Sequence, residues 1–194
     1  MKTPLLQLIP QNRQEWRTWL EKNHDSGQIV QVVLLKKHAQ VAGISYTDAV
    51  AEALCFGWID STARTYDTDR FIQTFGARKA KSPWSGINKK KSQELIDAQL
   101  MTAPGFASIA AAKANGYWNI LDDVEKLLIP ADLQAAFKKS PKAADFYEQL
   151  SNAEKRMILY WLITAQRETT RSKRIADLVT GAAKGLKPAI LPQK

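Results

Sequence analysis

The sequence predicts an α+β fold, mostly helical, with a few short strands in the N-terminal part and an all-helical C-terminal part. Three observations lead there. The run Ile29-Val30-Gln31-Val32-Val33-Leu34-Leu35 is β-branched and apolar, as a buried strand should be. Beyond Pro130 every start and stop signal is helical. Strand-like runs are too few for a doubly wound sheet.

The elements follow in order. Residues 12–24 carry Trp16, Trp19 and Leu20 at helical spacing, with Asn12 as N-cap and Gly27 beyond the end. After the Ile29–Leu35 strand, Ser45 and Asp48 resemble a capping box, and the helix they open carries Ala49, Val50, Ala53 and Leu54 up to a stop at Gly57. Trp58-Ile59-Asp60 and Phe71–Phe75 read as two more short strands, with Asp67 and Asp69 in the turn between them. A basic loop, Gly76 to Pro83, leads to a helix from about Ser85 with Leu95, Ile96 and Leu100 inward. Pro104 fits the first turn of another helix that stops at Gly116. Ser140-Pro141 and Ser151…Glu154 open two further helices, the second containing Met157–Ile163. That stretch is apolar all round and is expected at the centre of a core. The last helix runs from about Glu168 to Lys184, before Gly185. The expected division is a mixed part over 1–120 and a helical part over 128–186, packed as one compact unit, with 187–194 as a frayed tail.

At 194 residues, 45% apolar and 24% charged, the chain can bury a real core. A single Cys55 excludes an internal disulfide and a cysteine-rich metal site. There is no long apolar run, and Leu5–Ile9 is too short a stretch before Pro10 to be the apolar part of a signal. A cytoplasmic location without a transmembrane segment is the expectation.

Net charge is +9, and its placement is informative. Residues 76–93 hold Arg78, Lys79, Lys81, Lys89, Lys90 and Lys91 without an acid, and residues 167–194 hold seven bases against Glu168 and Asp177. The remainder is slightly acidic. Such local fields favour an anionic small molecule or an acidic protein, with weak, non-specific nucleic-acid contact a further option. The alternative is a pair of solvated faces that aid solubility.

Motifs whose spacing enforces a reaction are missing: there is no phosphate-cradling glycine loop, G-x-S-x-G, H-E-x-x-H or C-x-x-C. No catalytic residue, cofactor or metal is assigned. His24 suits a helix C-terminus, His38 a surface loop, and Cys55, between Leu54 and Phe56, a buried structural thiol. Asp60 ends the apolar Trp58-Ile59 strand, where a carboxylate is normally paired or functional. Trp58 and Asp60, with Arg78, Lys79, Ser82, Trp84, Ser85 and Asn88 of the following loop, are the candidate ligand contacts, because guanidinium, hydroxyls and amide hold an anion while an indole stacks. The competing reading pairs Asp60 with Arg78 as structural glue and leaves Ser85 as a helix cap. Glu168, Arg171 and Arg174 form a second constellation, in which an inward Glu168 flanked by arginines suggests a partly buried ion network docking the last helix.

These segments resemble a known family. Ala53-Leu54-Cys55-Phe56-Gly57-Trp58-Ile59-Asp60-Ser61 is similar to the A-L-C-F-G-W-I-D-S signature of the bacterial YdeI/OmpD-associated, or bacteriocin-protection, family. Arg78-Lys79…Ser82…Trp84-Ser85…Asn88 resembles that family's R-K-x-x-S-x-W-S-x-x-N segment. Pro130-Ala131-Asp132-Leu133 and Glu168-Thr169…Arg171…Arg174-Ile175 resemble its P-x-D-L and E-T-R-x-x-R-I elements. The resemblance implies a cytoplasmic bacterial protein linked to antimicrobial-peptide tolerance or envelope stress, with no established reaction or cofactor. A non-enzymatic binding protein is therefore the expected function; the alternatives are an enzyme using Asp60 with the Arg78–Asn88 loop, or a weak nucleic-acid binder.

Overall fold

The computed structural model describes residues 5–192. The fold is α+β, with nine helices and one four-stranded sheet among those residues. It divides into two compact units, one ending at Trp118 and the other beginning at Asn119.

The first unit runs β1 (Leu6–Leu8), α1 (Arg13–Asn23), β2 (Ile29–Leu35), α2 (Tyr46–Cys55), β3 (Trp58–Thr65), β4 (Arg70–Ala77), α3 (Gly86–Asp97) and α4 (Ala103–Ala114). The sheet order is β1-β2-β4-β3, with β1 parallel to β2 and the other pairs antiparallel. Two features of the sheet go beyond the sequence expectation. β1 is an additional strand, and β3 continues past Asp60 through a register shift between Asp60 and Ala63. Asp67 tightens the β3–β4 turn by accepting from the backbone of Asp69 and Arg70 at 2.9 and 2.7 Å.

Alternation in the strands sets the core. Val30, Val32 and Leu34 of β2 and Phe75 of β4 are fully buried and pack with Trp16 and Leu20 of α1 and with Ala49, Ala53 and Leu54 of α2. The rings of Trp16 and Trp19 stack at 5.4 Å, and Trp58 meets Trp16 edge-on at 6.4 Å. Leu100, expected inward, lies past the end of α3 and is 37% exposed, because the helix stops at Asp97 and Gln99 turns the chain with φ +57°.

The second unit is helical throughout: α5 (Asp122–Glu125), α6 (Ala131–Lys138), α7 (Pro141–Glu148), α8 (Asn152–Ile163) and α9 (Glu168–Ala182). Ser151 and Glu154 form the full capping box at the start of α8. That helix is not enclosed on all sides, however. Ile158, Leu159 and Leu162 are buried, while Met157 and Tyr160 are each 42% exposed. Apolar residues all round do not bury a helix whose partners cover only one face.

The segment after α9 is docked rather than frayed as far as it is described. Leu191 is buried in the second core, and Lys187 Nζ donates to Glu154 Oε1 at 2.5 Å. Lys187, followed by hydrogen bonds from Ser151, pulls the Glu154 carboxyl down to about 2. Residues 193 and 194 lie outside the described residues. A depressed carboxyl stabilises the fold above the ordinary range near about 4.3, and that contribution is lost as pH falls through the folded value. A carbon-detected NMR titration should place Glu154 near 2, and Lys187→Met should raise it without restoring the ordinary value, since the Ser151 bonds remain. An ordinary midpoint in the unmodified chain would refute the docking contact.

Candidate functional site

The site begins where α2 hands over to β3. Gly57 makes that turn with φ +70°, and a Cβ there would lie 2.8 Å from Pro104 O and 3.1 Å from Ser108 Cβ. Glycine thus lets α4 close against the end of α2. Thr102 Oγ1 donates to Cys55 O at 2.5 Å and fixes the approach.

Arg78 leaves the end of β4 beside this turn, its N–H donating to Gly57 O at 2.9 Å. Its guanidinium lies 3.9 Å from the centre of the Trp84 ring, and Nη1 donates to Pro83 O at 2.9 Å. Nε and Nη2 are covered from solvent and have no hydrogen-bond partner. Burial brings the guanidinium down to about 10, against a smaller opposing pull from the Asp60 charge. Trp84 is fully buried, packs against Trp118 at 4.9 Å, and also leaves its indole Nε1 without a partner. Asn115 Nδ2 donates to Ala80 O at 2.7 Å and ties the loop to the end of α4.

Around these groups lies a cleft of about 430 Å³. Arg78, Lys79 and Trp84 line one side, His24 and Asp25 stand at another, and Pro104, Ala107, Ser108 and Ala111 of α4 form a wall of small side chains. His24 is the C-cap of α1, its backbone N–H bonded to Leu20 O at 2.9 Å. The volume suits a small molecule.

The remaining candidates are dispersed. Trp58 belongs to the core, its Nε1 donating to His24 O at 2.9 Å. Asp60 accepts from Tyr46 OH at 2.9 Å and from Gln73 Nε2 at 3.1 Å, so its hydrogen-bond partners come from α2 and β4. Burial, then the Asp60 bond, pushes the Tyr46 hydroxyl up to about 12. Ser82 lines a separate groove with Ile29 and Ile59 on the outer face of the sheet. Ser85 caps α3, accepting from Asn88 N at 3.3 Å. Lys91 is paired with Glu94 at 2.6 Å. No group of three or more His, Cys, Asp or Glu side chains among the described residues is arranged to hold a metal ion.

Residues 8–108, just over half of the chain, match the family described as "Domain of unknown function (DUF8412)". Residues 126–185 match the family described as "Bacteriocin-protection, YdeI or OmpD-Associated". The chain belongs to the DUF8412 family and carries a YdeI/OmpD-associated domain. No curated protein and no solved structure is significantly similar to it. The motifs at 53–61 and 78–88 therefore fall in the DUF8412 region, and those at 130–133 and 168–175 in the YdeI/OmpD-associated domain.

In the YdeI/OmpD-associated domain the expected network has a different acid. Arg171 Nε and Nη2 donate to Asp132 at 2.5 and 3.0 Å, and Nη1 donates to Leu162 O at 3.0 Å. Arg174 donates to Trp161 O and lies 5.0 Å from the Trp161 ring centre. Glu168 is exposed and accepts from Ser172 at 3.2 Å. At the first residue of α9 its carboxylate is stabilised by solvent and the helix N-terminus, so it has no need to turn inward.

Sequence reasoning missed a second buried cluster in the DUF8412 region. Glu52 is 2% exposed and accepts from Arg13 Nε at 2.5 Å and Arg17 Nη1 at 2.7 Å. Cys55 is buried beside it; burial first, and the Glu52 charge second, raise its thiol pKa. Native protein should therefore resist iodoacetamide near neutral pH and label only on unfolding. Rapid labelling of folded protein would show the thiol to be accessible.

Proposed function

We propose that the chain is a non-enzymatic binding protein that takes an anionic group in the cleft over Arg78 and Trp84. One observation carries this reading. A buried guanidinium with two unmet donors is costly to leave so, at about 1–3 kcal/mol per unsatisfied group, and it borders a cleft of ligand size. Lys79 adds a second positive charge. Nε and Nη2 are covered from solvent, so a ligand that meets them must first displace the groups that cover that edge. The setting we propose, from the YdeI/OmpD-associated domain, is tolerance of bacteriocins or envelope stress in the bacterial cytoplasm. No helix among the described residues is long and apolar enough to cross a membrane.

The test is an NMR titration of the whole chain with inorganic phosphate and with acetate at low ionic strength, following the Trp84 indole N–H. Saturable shifts that Arg78→Ala abolishes support the reading. Shifts absent for both anions, or unchanged in the variant, overturn it.

Nucleic-acid contact should be weak. Arg78 is stacked and Lys91 is ion-paired, whereas Lys79, Lys81 and Lys90 are exposed. Three phosphate contacts would give a slope of log affinity against log salt of about −2.7. Fluorescence anisotropy with duplex and single-stranded oligonucleotides should show no selective binding at about 0.15 M salt; sub-micromolar binding there would promote this partner.

A further inference from the structure

The two units each place an arginine against a backbone carbonyl, and the pair can be compared atom by atom. Arg171 gives Nη1 to Leu162 O and its Nε and Nη2 to the two oxygens of Asp132. Arg78 gives Nη1 to Pro83 O in the same way, and its Nε and Nη2 meet no acceptor. These two atoms are one edge of the guanidinium plane. Their N–H bonds run parallel at the spacing of a carboxylate's oxygens, the side-on geometry that Arg171 displays.

The rest of the cleft narrows the ligand further. Pro104, Ala107 and Ala111 offer apolar surface, and the Ser108 hydroxyl is the one side-chain donor that α4 adds to this wall. Asp25 is exposed at the rim, where it disfavours a second negative charge. Lys79, the second cation of the cleft, is exposed and screened by water, so the buried cation is a single guanidinium and a dianion would leave charge unmatched and desolvated. Resting on the anion-binding reading above, we infer that the ligand is a small monocarboxylic acid, its carboxylate side-on to Arg78 and its apolar tail along the α4 wall. Phosphate esters and inorganic phosphate are poorer ligands of this cleft.

The experiment compares acetate, n-hexanoate, n-hexanol and inorganic phosphate as probes, by calorimetry and by the Trp84 indole N–H shift. Each methylene buried on the alanine wall is worth about fourfold in affinity. Hexanoate should therefore bind at least about tenfold more tightly than acetate, and both more tightly than phosphate or hexanol. Arg78→Lys keeps the charge and removes the parallel pair, and should weaken both carboxylates about tenfold or more. Ala111→Gln, at an exposed helical position, should reduce the hexanoate advantage while leaving acetate binding in place. Two failures are distinguishable. If phosphate binds as well as the carboxylates, or hexanoate gains nothing over acetate, the carboxylate assignment falls while anion binding stands. If no anion moves the Trp84 signal and Arg78→Lys is silent, the anion-binding reading falls and takes this inference with it.

Discussion

Glu52→Ala is expected to destabilise the first unit by about 3 kcal/mol, the lower end of the range for removing one partner of a buried ion pair. The carboxylate is 2% exposed and bridges two arginines of α1, so its loss leaves both without their shared acceptor. Arg17 suffers most. Its side chain is 19% exposed, reaches Leu100 O at 3.2 Å and lies 5.3 Å from the Phe56 ring centre, which leaves little water to replace the lost oxygen. Arg13 is 40% exposed and recovers much of its solvation, which keeps the cost at the lower end. Urea unfolding followed by tryptophan fluorescence measures the change. A loss below about 1 kcal/mol would mean that solvent already reaches the cluster.

Gly105→Ala should cost the same unit at least about 2–3 kcal/mol. A Cβ at that position would lie 2.3 Å from Cys55 O and 2.3 Å from Met101 Sδ. The thioether can swing away; the backbone carbonyl cannot, because Thr102 binds it through both N–H and hydroxyl. α4 must then retreat from α2, and the wall of the Arg78 cleft moves with it. Thermal unfolding reads the stability, and the Trp84 indole N–H shift reads the cleft. Gly181→Ala is the contrast: it lies within α9, where the new methyl's nearest neighbour is Leu186 O at an ordinary 3.5 Å. There the gain in helix propensity should stabilise the second unit by up to about 1 kcal/mol. Equal effects of Gly105→Ala and Gly181→Ala would be incompatible with this packing.

What the sequence disclosed and what it hid follow from the range of the interactions. The stops at Gly27, Gly57, Gly116 and Gly185 are local backbone requirements, and all four have φ between +69° and +81°. The Ser151–Glu154 box is equally local. The stack of Arg78 on Trp84 joins residues six apart in one loop, so an arginine with an interleaved indole was a readable signal. Asp60 is the opposite case. Its partners Tyr46 and Gln73 come from other elements, and only pairing across the sheet reveals them. A faint clue was present, since Gln73 interrupts Phe71 and Phe75 on the inward face of β4. The Glu52 cluster joins positions 35 and 39 residues apart and gave no local trace. β3 beyond Asp60 was missed because Ser61 to Thr65 is exposed and polar, supported by pairing with β4 rather than by burial.

That last stretch bears on how the chain behaves at high concentration. A sheet grows by offering a flat, unpaired edge to another chain, and the usual route to fibrils starts there. Here one edge is β1, only three residues long. The other is β3, whose register breaks between Asp60 and Ala63 and whose outer half carries Ser61, Thr62, Arg64 and Thr65. A neighbouring strand would meet an interrupted ladder of donors and acceptors, and then the charge of Arg64. The same irregularity that hid β3 from a pattern reading makes the sheet a poor seed for aggregation.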